Sequence, residues 1–306
     1  MLIQDELSRF TASSPTVCTL GVFDGVHLGH QALLTIARDK AAAIGGVAVA
    51  VLINPHPRTV LAPGSTVPLL TSLAERIELL HVLGVTPVPI TFTKELSLLT
   101  AREFVALLRE HLHLQTLVGG PDFALGHNRE GTMPVLESLG SELGFSVDVI
   151  FPVQNDAVPV SSTAIREAIA HGDVQSAARQ LGRPYSITGV VQKGEARGRT
   201  LGYPTANLQP EPDRALPNDG IYATRVRIGD TFHPSATYVG TSPTFDGQQR
   251  LIEVFLIDFN GDLYGQELQV EWVRKIRDDQ RFESEGALQG QMAEDIAQAR
   301  LVLSEA

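Results

Sequence analysis

The stretch Thr16-Val17-Cys18-Thr19-Leu20-Gly21-Val22-Phe23-Asp24-Gly25-Val26-His27-Leu28-Gly29-His30 decides the fold. Its first part is an apolar run of strand length, and the pattern predicts a buried strand over 16–23. Its last part opens a helix over 28–44, because Leu33, Ile36, Ala37, Ala41 and Ile44 recur at helical spacing. In an open parallel sheet, such a strand-to-helix turn is where nucleotides bind. The helix N-terminus there presents unbonded N–H groups and the positive end of its dipole. His27 and His30 lie three apart on the first helical turn and are expected to point at one phosphate chain. Gly25 and Gly29 are expected to let backbone approach phosphate closely.

The same alternation continues outward from this turn. A strand over 47–53 ends at Asn54-Pro55-His56-Pro57. Ser72-Leu73-Ala74-Glu75 reads as a capping box opening a helix that Gly84 stops, and Thr100-Ala101-Arg102-Glu103 reads as another. Strands over 116–118 and 147–151 complete a βαβ series, which predicts a Rossmann-like parallel α/β module with helices on both faces. Residues 162–181 are helical in pattern, interrupted at Gly172-Asp173, and Gly182-Arg183-Pro184 ends them. Short strands then follow over 187–191, 221–228, 251–258 and 268–274, with Asn260-Gly261 as a hairpin signal between two of them. Leu288, Met292, Ile296, Ala299 and Leu303 share one face of a closing helix. The expected organisation is an α/β module over 1–183 and a small antiparallel β-barrel module with a C-terminal helix over 184–306.

Composition narrows the function. A chain of 306 residues exceeds the usual single core. Its one cysteine, Cys18, excludes an internal disulfide framework and suits a reducing, cytoplasmic compartment. No secretory signal is expected at the start, and the apolar runs are too short to span a bilayer, so no membrane partner is expected. The net charge of −11 is shared by both halves and leaves neither with the basic surface that nucleic acid requires. Phosphate recognition must then come from local donors, helix termini and a metal ion.

Further motifs carry such donors. Val160-Ser161-Ser162-Thr163-Ala164-Ile165-Arg166 is a Ser/Thr helix cap, and its hydroxyls, helix N-terminus and Arg166 together suit a second anion clamp. Asn54-Pro55-His56-Pro57 and the Gly-rich segment 119–131 both follow strands at the same sheet edge as the histidines. Surface histidines at a helix start, a Ser/Thr cap and ordinary turns account for the motifs one by one; the histidine turn after the first strand together with the Ser-Ser-Thr helix start after the last points to nucleotidyltransferases with a His-x-Gly-His signature. That chemistry needs no covalent help from the protein. A phosphate monoester is already ionised near neutrality, so in-line positioning and neutralisation of the departing pyrophosphate suffice. In the second half, 194–208 is Gly- and Arg-rich but lacks the Lys-Ser/Thr ending of a P-loop. Thr205 and Asn207 lie two apart on an extended segment, so both side chains face one way and offer neutral oxygen ligands to magnesium. Glu253 is the one charge in the run 251–257, placed there either by function or by a structural ion pair.

With these residues in view, the sequence resembles the prokaryotic bifunctional riboflavin kinase/FAD synthetase family over essentially its whole length. The resemblance is carried by the Gly-x-Phe-Asp-Gly-x-His-x-Gly-His start, the Pro-His-Pro turn, the Asp-Phe-x-x-Gly loop and the Ser-Ser-Thr-x-x-Arg helix start. Pro204-Thr205-Ala206-Asn207, the Gly-Thr-x-Pro-Thr-Phe segment over 240–245 and Asp262-Leu263-Tyr264-Gly265 complete it. It implies that the first module adenylylates FMN to FAD with release of pyrophosphate. It implies that the second phosphorylates riboflavin to FMN, leaving ADP, and that both use ATP with Mg²⁺. For the adenylyltransferase it implies ATP binding by Gly21, Phe23, Asp24, His27, His30, Ser162, Thr163 and Arg166, and FMN binding by Asn54, His56, Asp122, Phe123 and Arg129. For the kinase it implies ATP and magnesium binding by Gly198, Arg199, Gly202, Pro204, Thr205 and Asn207. Glu253 would be its base, with Arg277 and Phe282 near the flavin. Pro159 departs from the family, standing where relatives carry a basic residue. Two alternatives remain at this stage: a working kinase joined to a weakened adenylyltransferase, and a non-catalytic flavin-binding regulator.

Overall fold

The computed structural model describes residues 3–10, 13–151, 154–155, 158–193, 202–244 and 247–305. The chain divides into two compact units, Met1–Ser161 and Ser162–Ala306.

In the first unit, a short helix α1 (Ile3–Leu7) precedes β1 (Thr16–Gly21), α2 (Leu28–Ala43) and β2 (Val47–Asn54). After α3 (Pro57–Leu61) and α4 (Leu73–Val82) the chain forms β3 (Thr86–Thr91), then α5 (Ala101–Leu112) and β4 (Leu114–Gly119). A two-stranded ribbon, β5 (Ala124–Leu125) with β6 (Gly131–Thr132), leads into α6 (Met133–Leu143) and β7 (Ser146–Val149). A second such ribbon joins β8 (Gln154–Asn155) to β9 (Val158–Pro159). The main sheet has the order β3-β2-β1-β4-β7, and every pairing in it is parallel.

Alternation along the strands builds a core on each face. Cys18, Leu20, Val49 and Val51 pack with Phe104, Leu108 and Leu136 of α5 and α6, whereas Val17, Ala48, Ala50 and Leu52 pack with Leu34 and Ala37 of α2 and Leu80 of α4. Both expected capping boxes are present. Ser72 and Glu75 exchange bonds of 2.7 and 3.1 Å, and Thr100 and Glu103 bonds of 2.8 and 3.2 Å. The edge strand β3 escapes a pattern reading because Pro87 and Pro89 interrupt it. Both are tolerated at a sheet edge, where an N–H can face away from the neighbour. Among the described residues, no helix is long and apolar enough to cross a membrane.

The chain passes from β1 to β2 on one side and later returns to β4 on the other, so the strand order reverses between β1 and β4. That is where an open α/β sheet leaves a crevice at the carboxyl ends of its strands. The strand expected over 16–23 stops at Gly21, and a tight turn fills the crevice edge, with Val26 N–H donating to the Phe23 carbonyl at 3.0 Å. Three of its residues have positive φ: Phe23 at 51°, Gly25 at 80° and Val26 at 40°. Gly25 adopts this freely, but a β-branched valine does not, so something outside the turn must hold it. Asp24 does so. Its carboxylate is 2 % exposed and accepts from Leu70 N–H at 3.0 and 3.1 Å, Thr71 N–H at 3.0 Å and Thr71 Oγ1 at 3.2 Å. Thr71 Oγ1 in turn accepts from Gly25 N–H at 2.8 Å.

The second unit opens with α7 (Ser162–Ala170) and α8 (Val174–Leu181), whose α8 packs on β10 (Tyr185–Gln192) and β15 (Glu267–Asp278). Between these come β11 (Ala206–Pro210), β12 (Gly220–Ile228), β13 (Thr231–Thr244) and β14 (Gly247–Leu256). The six close into an antiparallel barrel in the order β10-β11-β14-β13-β12-β15. The C-terminal helix Glu285–Ser304 sets Ile296, Ala299 and Leu303 against Ala223, Ala236 and Ile257. The hairpin expected at Asn260-Gly261 does not form. β14 pairs with β11 and β13, β15 pairs with β10 and β12, and the segment 257–266 is a crossing loop. Asp262 Oδ1 closes that loop by accepting from Tyr264 N–H at 3.0 Å.

Two measurements test this packing. Cys18 is 0 % exposed, and burial pushes its thiol up to about 12, only partly offset by its hydrogen bond with Thr16. A thiol reagent at neutral pH is therefore expected to label it only at the rate of unfolding; rapid native-state labelling would refute this core. Asp24→Ala strands two buried N–H groups and is expected to cost about 3 kcal/mol in urea denaturation. A loss below about 0.5 kcal/mol would show that the turn stands without its clamp.

Candidate active sites

In the first unit, His27 is the N-cap of α2 and only 6 % exposed. Its Nδ1 accepts from His30 N–H at 3.3 Å, which assigns the ring proton to Nε2. The rings of His27 and His30 stack at 3.7 Å, and Phe23 meets His30 edge-on at 5.1 Å. Burial, and after it the neighbouring His27, holds His30 well below the usual histidine range, so His30 is neutral. Its Nδ1 is buried and has no hydrogen-bond partner among the described residues. Gly29 turns out to make room for a ring. A Cβ there would lie 3.2 Å from two atoms of the His27 imidazole. At Gly21, likewise, a Cβ would lie 3.3 Å from the Phe23 ring. Asp24 directs its carboxylate to the 70–71 backbone, and so acts on the site through the turn it holds.

Asn54 ends β2 at the same sheet edge, half-buried, beside a cavity of about 230 Å³ that Leu73 and Thr91 also line. His56 caps α3, with Nδ1 accepting from Arg58 N–H at 3.1 Å. After β4, Arg129 closes the loop by donating to the Asp122 carbonyl at 2.8 Å. Phe123 packs against the core and over Gly119, where a Cβ would meet its ring at 2.9 Å. Pattern reading missed Arg76, which is 1 % exposed. Its signal was its place in the stripe Leu73, Arg76, Ile77, Leu80, where an apolar residue belongs.

In the second unit, Ser162 and Thr163 form the first turn of α7 and Arg166 lies one turn further in. Barrel register brings the kinase candidates together. Asn207 of β11 is directly opposite Glu253 of β14, and Glu253 is directly opposite Tyr238 of β13. Directly opposed residues of neighbouring strands share a face, with Cβ atoms roughly 5 Å apart. The row continues through Ile221 to Arg277. Tyr238 is a further addition to the sequence reading. Burial, then the negative charges of Asp279, Asp219 and Glu253, push its hydroxyl up to about 12. Thr205, two residues before Asn207, lines a cavity of about 490 Å³ together with Pro204. The far wall of that cavity is the 259–264 loop, the segment that reads as a hairpin in sequence. Tyr203 anchors the approach by meeting Phe255 of β14 edge-on at 5.6 Å. Gly202 has φ 84° and is exposed; Gly198 and Arg199 lie outside the described residues. Arg277 donates through Nε and Nη2 to the two oxygens of Asp295, at 2.8 and 2.7 Å, and its guanidinium lies 5.7 Å from the Phe282 ring. Asp295 is 4 % exposed on the apolar side of the last helix, a second buried charge that pattern reading passed over.

Known proteins are similar to this chain along both units. The FAD synthetase family model matches residues 10–164 and the riboflavin kinase family model residues 181–303. A protein of Escherichia coli (strain K12) named bifunctional riboflavin kinase/FMN adenylyltransferase is 37% identical over 287 residues, covering 93% of this chain and 91% of its own. The protein of that name from Pseudomonas fluorescens is 39% identical, covering 93% and 92%. Among solved structures, one titled a macrolide-efflux protein from Streptococcus pneumoniae superposes with a TM-score of 0.89 at 34% identity, over 96% of each chain. Two family models that between them take in the histidine turn and the Asn207–Glu253 pair, with relatives alike along nearly the full length, place the chain in the family of bifunctional riboflavin kinase/FMN adenylyltransferases.

Proposed function

We propose that the protein makes FAD from riboflavin in two ATP-dependent steps. The barrel phosphorylates riboflavin, and the α/β unit adenylylates the resulting FMN. The observation that carries this reading is the coexistence of two separate phosphate-handling constellations in one chain, each on the segment that its family model matches. A flavin-binding regulator would have no use for either. The functional boundary is proposed near 183–184, where the first barrel strand begins.

In adenylyl transfer, a phosphate oxygen of FMN forms a bond to the α-phosphorus of ATP as the bond to pyrophosphate breaks. No proton need be removed from the attacking group. The protein supplies donors for the departing charge. His27 offers Nε2–H, neutral His30 offers a desolvated ring whose buried Nδ1 a phosphate oxygen would satisfy, and α2 offers its N-terminal N–H groups. Ser162, Thr163 and Arg166 are proposed to serve the same nucleotide. FMN is proposed to meet Asn54, His56, Asp122, Phe123 and Arg129. A neutral imidazole acts here as a hydrogen-bond donor, so the step does not depend on titrating His30.

In the kinase, the 5′-hydroxyl oxygen of riboflavin bonds to the γ-phosphorus, the bond to ADP breaks, and the hydroxyl proton passes to Glu253. A primary alcohol holds that proton about as tightly as water, with pKa roughly 15.7, so a carboxylate within reach both orients it and accepts the proton. Thr205 and Asn207 fit magnesium, since a hydroxyl and an amide oxygen are hard neutral donors beside the Glu253 carboxylate. When bound, the ion would neutralise charge on the ATP phosphates. The 490 Å³ cavity beside Thr205 is proposed to take the nucleotide, and Arg277, fixed by Asp295, with Phe282, to border the flavin.

A pair of variants tests the division of labour. His30→Ala is expected to lower FAD formation from FMN by about 10²–10³-fold and to spare FMN formation from riboflavin. Glu253→Gln is expected to do the reverse, cutting kinase turnover by about 10²–10⁴-fold with riboflavin and MgATP binding nearly intact. Equal loss of both activities in either well-folded variant would overturn the assignment.

A further inference from the structure

The guanidinium of Arg76 reaches three separate segments. Nη2 donates to Asn54 Oδ1 at 2.9 Å, Nη1 to the Val22 carbonyl at 2.8 Å, and Nε to the Ser72 carbonyl at 3.3 Å. Val22 lies in the turn that carries the histidines, Ser72 caps α4, and Asn54 ends β2. A guanidinium taken out of water is costly unless its donors are matched in a fixed fork, and no apolar residue at this position of the α4 stripe would incur that cost. Core packing therefore does not explain its presence, whereas the geometry it imposes on Asn54 does.

An asparagine amide in a cleft has two orientations, differing only in which end is oxygen and which is NH₂. Arg76 donates, so the end facing it must be the oxygen. The Asn54 backbone is fixed as well, since its carbonyl accepts from Phe92 N–H at 2.8 Å. The NH₂ end is then left as the donor end beside the 230 Å³ cavity.

We propose that Arg76 is the positioning residue of the flavin subsite, locking Asn54 with its NH₂ toward the substrate and tying that orientation to the histidine turn through Val22. The proposal rests on the reading that Asn54 meets FMN. Arg76 itself touches no substrate.

The test is steady-state adenylylation by the full chain, with FMN and MgATP varied separately and kinase turnover measured alongside. Arg76→Lys keeps the charge but not the fork. It is expected to raise KM for FMN about tenfold, which is about 1.4 kcal/mol, with KM for MgATP and kinase turnover little changed. Asn54→Ala should raise the same KM equally, and the double variant should be no worse than either single one. Asn54→Asp guards against a misfolded Arg76 variant. It keeps and strengthens the bond to Arg76 but replaces the donor end by an acceptor, so thermal stability should hold while KM for FMN rises. A normal KM for FMN in Arg76→Lys beside a raised one in Asn54→Ala would overturn the role of Arg76 alone. Unchanged constants in Asn54→Ala would overturn the FMN reading and this proposal with it. Additive effects in the double variant would show that Arg76 does not act through Asn54.

Discussion

The first unit's site depends on a carboxylate that faces away from it. The turn from β1 into α2 runs through a phenylalanine and a valine with positive φ, a conformation costing of order 1–3 kcal/mol at each residue. Asp24 offsets that cost with a set of short bonds to Leu70, Thr71 and the Thr71 hydroxyl in a buried setting. The strained turn leads into the N-terminus of α2, which carries both imidazoles, at the sheet edge where the strand order reverses. Arg76 braces the same turn from the other end through Val22. The two buried charges thus tie residues 22–24 of the turn to the stretch 70–76, and His27 and His30 follow directly from that anchored segment.

The barrel solves its positioning problem differently. Strand register puts an amide, a carboxylate and a phenol in one row across three adjacent strands. This suits the chemistry. An alcohol acceptor requires a base, and a base on a paired strand is held by ladder hydrogen bonds on both sides. Adenylyl transfer requires donors for a departing polyphosphate, which a helix N-terminus supplies directly. In a chain of net charge −11, the proposed recognition of polyanionic substrates rests on such local devices.

Much of this was legible in the sequence. The apolar run Val17-Cys18-Thr19-Leu20 and the succession of strands and capped helices after it gave the parallel sheet, because the local signals and the tertiary structure agree there. What stayed hidden has identifiable causes. β3 was masked by Pro87 and Pro89, which only its edge position permits. The Asn260-Gly261 signal was read as a hairpin because pattern cannot tell which strands lie side by side; the loop instead walls a cavity. At Gly29, expected to let phosphate approach, the missing Cβ also leaves room for the His27 ring. Arg76, Tyr238 and Asp295 are hard to find by pattern because each meets residues on other elements, such as Val22 and Asn54 for Arg76, Glu253 for Tyr238 and Arg277 for Asp295. A break in an apolar stripe, as at Arg76 between Leu73 and Ile77, is the signal that could have found such residues.

One chain carries both chemistries in sequence. This is tested most directly by incubating the protein with riboflavin, ATP and Mg²⁺ and separating the flavins by chromatography over time. FMN should appear first and FAD after it, with ADP accompanying the first product and pyrophosphate the second. FMN that accumulates without FAD would contradict the role given to the histidine turn, and unchanged riboflavin would contradict the account of the barrel.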